Sequence, residues 1–154
     1  RSLPGVLSNG PSSTTGSKDA MEKGSLVGHP VQGVRVVLED GQTHPVDSSD
    51  MAFRFAAASA VRETILKAGP QILEPVMSLE VVAPSEFQGT VIGGVNRRAG
   101  LIQSADISED GTCCIIKADV PLNQMFGYST DLRSSTQGKG EFTMEYKEHS
   151  PVTR

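Results

Sequence analysis

The fold of the second half of the chain is decided by the segment LEPVMSLEVVAPSEFQGTVIGGVNRRAGLIQSADISEDGTCCIIKADV, residues 73–120. It begins with an apolar stretch over 73–84 that is rich in valine and is typical of a strand. Ser85 then offers an N-cap oxygen to a helix predicted over 86–98. Gly100 stands where the C′ residue of that helix is expected. The segment therefore opens with a strand followed by a helix.

Two further strands follow this helix. Residues 101–108 and 112–120 are predicted to pair, because Glu109-Asp110-Gly111 between them is a hairpin signal. A second helical stretch is expected from Pro121 to Arg133, with Gly127 as a local break.

The last predicted strand covers 141–147, with Phe142, Met144 and Tyr146 on one face. The predicted order from 73 to 147 is β-α-β-β-α-β, which is typical of an α+β, ferredoxin-like sandwich. Right-handed crossovers would give one antiparallel four-stranded sheet with both helices on one face.

A hairpin is also predicted further upstream. Val34, Val36 and Leu38 alternate with other residues as in a strand with one buried face. The Asp40-Gly41 pair that follows is a strong hairpin signal, so the chain is expected to reverse there and return through 44–46. His44 is therefore placed at or near the tip of this hairpin.

A helix is predicted over 50–68, because this stretch is rich in alanine and is preceded by possible N-cap residues at 47–49. Gly69-Pro70 ends it and marks a domain boundary. The side of the helix expected to be apolar is marked by Met51, Phe55, Ala58, Arg62 and Ile65.

The expected domain organisation has three parts. Residues 1–17 contain twelve Ser, Thr, Gly or Pro residues, and we predict a disordered or expression-derived lead. Residues 18–69 form a partial α/β segment, a β-hairpin plus a helix. Residues 70–150 form the ferredoxin-like domain.

The composition limits the kinds of partner. The 154 residues carry a net charge of −4, which argues against nucleic-acid binding through bulk electrostatics but leaves room for a few placed cations. Apolar runs fall well short of the roughly 20 residues that span a bilayer, so no membrane partner is expected. Cys113 and Cys114 are adjacent and point to opposite faces of a strand, so they cannot easily form a disulfide with each other or bind one metal ion together. Two unpaired cysteines are typical of a protein from a reducing compartment.

The sequence carries no recognisable catalytic motif. The glycine-rich run 89–94 lies in the first predicted helix and lacks the Lys and Ser or Thr of a phosphate-binding loop. We interpret its small residues as allowing close packing of the helix on the sheet. The three histidines are dispersed, so zinc is not expected. Two binding candidates remain: the Asn96-Arg97-Arg98 run at a helix C-terminus and His44.

These segments resemble a known family. LEPVMSLEVVAPSEFQGTVIGGVNRRAG (73–100) and VPLNQMFGYSTDLRSSTQGKGEFTMEY (120–146) are similar to the fifth domain of translation elongation factor G. Residues 18–60 resemble the C-terminal part of its fourth domain. Within the family, EVVAPSEFQG and GVNRRAG resemble the mitochondrial factor 1 type.

The resemblance implies a C-terminal fragment of a GTPase that moves tRNA and mRNA on the ribosome. In the family the fifth domain lies near the sarcin-ricin loop and stalk base, which implies that Arg97, Arg98 and Lys139 contact large-subunit rRNA. The fourth domain presents a G-x-x-H-x-V-D-S-S motif to the tRNA–mRNA complex in the decoding centre. Gly41 and His44 match that motif and are the implied contacts there.

The same resemblance implies what the fragment lacks. GTP and magnesium bind the family's G domain, so this fragment is expected to hold no cofactor and to hydrolyse no GTP. A mitochondrial, monomeric protein is implied. Pro45 departs from the bacterial pattern, which usually has Asp at this position.

Alternatives stay open. A stand-alone ferredoxin-like regulatory module, pairing through a sheet edge or binding a small ligand, would give a concentration-dependent dimer without ribosome affinity. A small hydrolase of the acylphosphatase type would need a phosphate-cradling Arg after the first strand, and Pro84-Ser85-Glu86 has none. The equivalent fragment of a ribosome-recycling paralogue is the third alternative.

Overall fold

The computed structural model describes residues 10–152, and the chain divides into two compact units, Arg1–Pro70 and Gln71–Arg154. We call them the N-terminal unit and the C-terminal unit. No helix in the described residues is both long enough and apolar enough to cross a membrane.

Two helices form the core of the N-terminal unit. Helix α1 covers Gly10–Glu22 and helix α2 covers Asp50–Lys67. They pack through small side chains, and a Cβ at Gly16 would lie 2.1 Å from the carbonyl oxygen of Arg54. Arg54 Nε also donates to Asp19 Oδ2 at 2.7 Å. The buried residues of this core are Ala20, Ala58, Val61 and Ile65.

Helix α1 corrects the prediction of a disordered lead over 1–17. Residues 10–17 are helical, and 18–22 continue the same helix. Their Ser- and Gly-rich sequence has weak helix propensity, so the packing on α2 is what holds them helical. The rest of the predicted lead, 1–9, lies outside the described residues.

Helix α2 begins as predicted. The Ser49 hydroxyl accepts a hydrogen bond from the Ala52 backbone N–H at 3.1 Å. Its buried stripe differs from the predicted one, because Met51 and Phe55 are 57% and 65% exposed. Val61 is buried instead, since the face toward α1 is set by the helix crossing rather than by the largest side chains.

The predicted hairpin over 34–46 does not form. The described residues between α1 and α2 contain no strand, and Val34, Val36 and Leu38 are about half exposed. A lone two-stranded hairpin is marginal in water, and the described part of the N-terminal unit offers no third strand to extend it. His44 therefore lies in a turn of an extended segment rather than at a hairpin tip.

The C-terminal unit is the predicted β-α-β-β-α-β sandwich. Its elements are β1 (Leu73–Pro84), α3 (Gln88–Arg97), β2 (Leu101–Ile107), β3 (Cys113–Pro121), α4 (Tyr128–Ser135) and β4 (Glu141–Pro151). All neighbouring strands are antiparallel, in the order β2-β3-β1-β4. This confirms the ferredoxin-like α+β fold expected from the sequence.

The core of this unit lies between the sheet and the two helices. Alternate residues of the central strands are fully buried, and they meet the buried faces of α3 and α4. The buried set comprises Leu79, Val81, Ala83, Val91, Val95, Cys114, Ile116, Ala118, Val120, Met125, Tyr128 and Leu132. Both helices therefore cover the same face of the sheet.

Strand β4 is longer than predicted. It runs to Pro151, which lies opposite Leu73 at the start of β1, and the Val152 N–H donates to the Ile72 carbonyl at 3.0 Å. Phe142 packs against the core as expected, but Met144 and Tyr146 on its face are 41% and 58% exposed. The eight residues of α4 span only about 12 Å and leave that part of β4 uncovered.

The ends of α3 differ from the prediction. The Ser85 hydroxyl does not cap the helix; it donates to the Gly111 carbonyl at 3.0 Å, in the turn between β2 and β3. Ala99, with φ of 56°, takes the left-handed conformation predicted for Gly100. Gly100 is needed for close packing instead, because a Cβ there would lie 2.5 Å from a methyl carbon of Val95. Gly127 does break the second helical stretch, with φ of 76°.

Candidate nucleic-acid interface

Helices α3 and α4 border a groove of about 590 Å³ on the C-terminal unit. One wall comes from α3, where Thr90, Gly94 and Arg97 are spaced so that they share a helix face. The other wall comes from α4, with Asp131, Ser134 and Ser135. We call this the α3–α4 groove.

Arg98 also lines the groove, but its side chain is mostly buried in the fold. Its side chain is only 17% exposed, and its guanidinium donates to the Gln124 carbonyl, to the Phe126 carbonyl at 3.1 Å and to the Asp131 carboxylate. These bonds tie the end of α3 to the loop before α4 and to α4 itself. Most of the donor capacity of Arg98 is therefore used within the chain.

Tyr128 lies at the base of the same groove and is 3% exposed. Its ring meets Phe142 edge to face at 5.1 Å, and the Arg98 guanidinium carbon lies 5.3 Å from the ring centroid. Burial raises the pKa of Tyr128 to about 12, and the positive charge of Arg98 opposes this rise. The hydroxyl thus stays protonated, yet it has no hydrogen-bond partner among the described residues.

Arg97 behaves differently from its neighbour. It is exposed in the last turn of α3, lines the groove and makes no hydrogen bond or ion pair with the described residues. A solvated, unpaired guanidinium beside a groove can donate two parallel hydrogen bonds to a phosphate. Of the two arginines picked out in the sequence, Arg97 is the one that is free to bind an external anion.

The glycines of α3 correct another expectation. A Cβ added at Gly89, Gly93 or Gly94 would find nothing within 4 Å. These residues do not bring the helix close to the sheet, because the buried contacts of α3 are made by Val91 and Val95. Their side of α3 presents bare helix backbone outward.

Lys139 lies outside the groove. Its Nζ is 3.8 Å from Glu86 Oε1, and both side chains are more than half exposed. A pair this long and solvated contributes little to stability, so Lys139 can exchange Glu86 for another anion. The structure therefore does not gather Lys139 with Arg97 and Arg98 into one lining.

The His44 turn belongs to the N-terminal unit. The His44 N–H donates to Ser48 Oγ at 2.6 Å, and the Ser48 N–H donates to the His44 carbonyl at 3.2 Å. The His44 Nδ1 accepts from the Val46 N–H at 3.3 Å and lies 3.3 Å from Asp47 Oδ2. These bonds close residues 44–48 into a compact turn just before α2, with the imidazole side chain 65% exposed.

Gly41 lies three residues before this turn. Its N–H donates to Asp40 Oδ1 at 2.7 Å, and a Cβ at this position would meet nothing within 4 Å. The backbone around Gly41 is exposed and open to an incoming partner.

The described residues contain no group of three or more His, Cys, Asp or Glu side chains that could hold a metal ion. Sequence reasoning did not identify Tyr128, Asp131 or Gly94 as parts of a site. The spacing of Thr90, Gly94 and Arg97 was a usable signal, since positions four and three apart face the same side of a helix. The α4 wall could not be found in this way, because it depends on how two helices meet.

Comparison with known proteins gives a consistent result over both units. The family described as Elongation factor G C-terminus matches residues 71–154, and the family described as Elongation factor G, domain IV matches residues 10–69.

Two relatives extend this comparison. Elongation factor G-1, mitochondrial, from Arabidopsis thaliana is 57% identical over 143 residues, which are 93% of this chain and 19% of the plant protein. A crystal structure of a protein from Thermus thermophilus matches with a TM-score of 0.84 and 35% identity, covering 92% of this chain and 21% of that one. The chain thus spans about a fifth of the length of each relative.

Proposed function

Since the chain belongs to the elongation factor G family and is a C-terminal stretch of its mitochondrial type, we propose that it is a ribosome-binding module of a translational GTPase. In this proposal the module acts in tRNA–mRNA translocation in mitochondria. It contributes contacts with RNA, while GTP hydrolysis belongs to a domain outside these two units.

The observation that carries the proposal is the different state of two neighbouring arginines. Arg98 is held by three acceptors inside the fold, whereas Arg97 is exposed beside the groove without a partner in the described residues. The fold thus fixes the end of α3 through one arginine and presents the other. We propose that Arg97 binds a phosphate of large-subunit rRNA near the sarcin-ricin loop or stalk base, with Lys139 as a further phosphate contact.

A second contact is proposed for the His44 turn. Its exposed imidazole and the open backbone at Gly41 can bond to tRNA or to decoding-centre RNA. The Nε2 atom of this ring is not among the hydrogen bonds of the turn, which are made through Nδ1.

The proposal is tested by cosedimentation of the full 154-residue chain with mitochondrial ribosomes. Arg97→Gln is expected to weaken binding by about ten-fold, which is what loss of one good phosphate contact represents. Arg62→Gln is the matched control, because Arg62 is exposed on α2 and has no partner in the described residues, and its removal changes the net charge equally.

Two outcomes would contradict the proposal. A chain that does not cosediment at low salt lacks the ribosome affinity proposed for it. Equal losses from Arg97→Gln and Arg62→Gln would show a response to net charge alone and would remove Arg97 as a specific contact.

A further inference from the structure

The tripeptide Glu-Asp-Gly occurs twice in the chain, at 39–41 and at 109–111. Both copies are hairpin signals in the sequence, but their surroundings in the structure differ. The second copy lies in the turn between β2 and β3, whereas the first lies in the exposed segment between α1 and α2, which has no strand or helix. The same local sequence is therefore present once inside a fixed turn and once outside any hairpin.

An Asp-Gly pair can react with itself in water. The glycine amide nitrogen attacks the side-chain carboxyl carbon of the aspartate, a C–N bond forms, and the carboxyl hydroxyl leaves with the amide proton as water. Water then opens the resulting cyclic imide. Cleavage at the side-chain carbonyl restores aspartate, and cleavage at the backbone carbonyl gives isoaspartate, in which the main chain runs through the former side chain. The reaction depends on the nitrogen reaching the carboxyl carbon, and glycine hinders this approach least.

At the first copy, the two reacting groups lie next to each other. The Gly41 N–H donates to Asp40 Oδ1 at 2.7 Å, and the Asp40 carboxylate makes no other hydrogen bond or ion pair with the described residues. Both residues are exposed, and a Cβ at Gly41 would find nothing within 4 Å. The backbone here is therefore free to rotate into the conformation in which the nitrogen attacks.

At the second copy, the same two groups are engaged with other partners. The Gly111 N–H donates to the Ser108 carbonyl at 2.8 Å. The Asp110 carboxylate accepts from the Ser108 hydroxyl, from the Thr112 hydroxyl at 2.7 Å and from the Thr112 N–H at 3.3 Å. These bonds lower the pKa of Asp110 from 3.8 to about 2, which reduces the protonated form from which water is lost. Attack by Gly111 would require this turn to open.

From this contrast we propose that Asp40 is a site of spontaneous isoaspartate formation in the folded chain, and that the turn around Asp110 protects the second copy. The modification keeps the charge of the residue but adds one methylene group to the main chain shortly before the His44 turn. It thereby changes the connection that leads to the exposed imidazole. The isoaspartyl carboxylate is also the chemical group that protein carboxyl methyltransferases using S-adenosylmethionine accept. The inference does not depend on ribosome binding.

The test ages the full chain at neutral pH and physiological temperature and follows isoaspartate in tryptic peptides. Electron-transfer fragmentation in the mass spectrometer distinguishes isoaspartate from aspartate. Trypsin places Asp40 in peptide 36–54 and Asp110 in peptide 99–117, and Asn9-Gly10, which can form the same imide with loss of ammonia, falls in a different peptide. Asp40 is expected to convert at least about ten-fold faster than Asp110.

The same measurement on the chain unfolded in guanidinium chloride separates the fold from the local sequence. The two rates are expected to agree within about two-fold there, because both aspartates follow a glutamate and precede a glycine. A ten-fold difference that persists in the unfolded chain would overturn the proposal, since the rates would then be set by the sequence alone. Equally slow conversion of the two sites in the folded chain would also overturn it.

Asp40→Glu is the matched variant. It keeps a carboxylate at position 40, but attack on the longer side chain forms a larger ring more slowly. Isoaspartate is therefore expected to disappear from the peptide covering 36–54. Asp47 and Asp50 lie in the same peptide, so a signal that persists in Asp40→Glu would place the reaction at one of them and contradict the assignment.

Discussion

At the scale of single residues, Arg97 and Arg98 show how adjacent, chemically identical side chains receive different tasks. The resemblance to the family implies rRNA contact for both. Successive helical residues point about 100° apart, so when one side chain turns toward the loop before α4 the next faces outward. The sequence predicts the cations but not this division, because the acceptors of Arg98 lie 26 and more residues away.

The internal bonds of Arg98 make its guanidinium shape important for stability. Arg98→Lys is expected to lower the free energy of unfolding by about 2 kcal/mol, because an ammonium cannot reach three separate acceptors at once. Urea unfolding measures this loss. Arg97→Lys should stay within about 0.5 kcal/mol of the unsubstituted chain, as exposed substitutions usually do. Equal effects at the two positions would contradict the division of tasks.

Tyr128 gives an expected pH dependence. Its pKa is raised from 10.0 to about 12 in the fold, so between these values the unfolded chain loses the phenol proton while the folded chain keeps it. The contribution of this group to stability is therefore full below pH 10 and falls as the pH rises toward 12.

Tyr128→Phe isolates this contribution. The variant is expected to be as stable as the unsubstituted chain at pH 7 or slightly more stable, because an unpaired buried hydroxyl is removed. It should also lose less stability between pH 10 and pH 12, measured by denaturant unfolding at each pH. A loss of more than about 1 kcal/mol at pH 7 would show that the hydroxyl has a hydrogen-bond partner after all.

At the scale of elements, a sequence pattern predicts a strand or helix correctly where neighbouring elements of the fold are present to pack or pair with it. The valine-rich stretch at 73–84 and the hairpin signal at 109–111 predict strands that form, and β1 and β3 lie at the centre of the sheet with a strand on either side. The alternation at Val34, Val36 and Leu38 predicts a strand that does not form, because the described residues around it contain no strand to pair with. The prediction for α1 is wrong in the opposite sense. Residues 10–17 are expected to be disordered from their composition, but packing against α2 keeps them helical.

The crossing of α1 and α2 depends on Gly16. Gly16→Ala is expected to destabilise the N-terminal unit by about 2 kcal/mol, because the new methyl group would meet the Arg54 carbonyl and the helices would have to separate. Hydrogen exchange of the α2 amides measures this as faster exchange. Lys18→Ala, an exposed change in the same helix, should leave the exchange rates unaltered. Equal protection in both variants would contradict the close contact.

At the scale of the whole chain, the net charge does not predict where an RNA phosphate would bind. The net charge of −4 lies entirely in residues 70–154, the same region that presents Arg97. Binding to RNA by such a chain has to rely on a few phosphate contacts rather than on a broad basic surface. The composition supports this general statement, whereas the choice of contact residues needs the three-dimensional structure.

A small number of phosphate contacts predicts a weak salt dependence of ribosome binding. Two or three phosphate contacts would give a slope of about −2 for the logarithm of the binding constant against the logarithm of salt concentration. Arg97→Gln should make the slope shallower by about one. Cosedimentation across a salt series measures both values, and a slope steeper than about −5 would instead indicate a broad electrostatic footprint.

The pairing of Leu73 with Pro151 brings the entry and exit of the C-terminal unit side by side. A short linker could therefore join the two ends, and new termini could be opened in the β2–β3 turn around Gly111 without cutting an element. Such a circularly permuted unit would keep every strand neighbour of the original. The original unit, whose two ends lie side by side, is likewise suited to insertion as a domain into a loop of another protein.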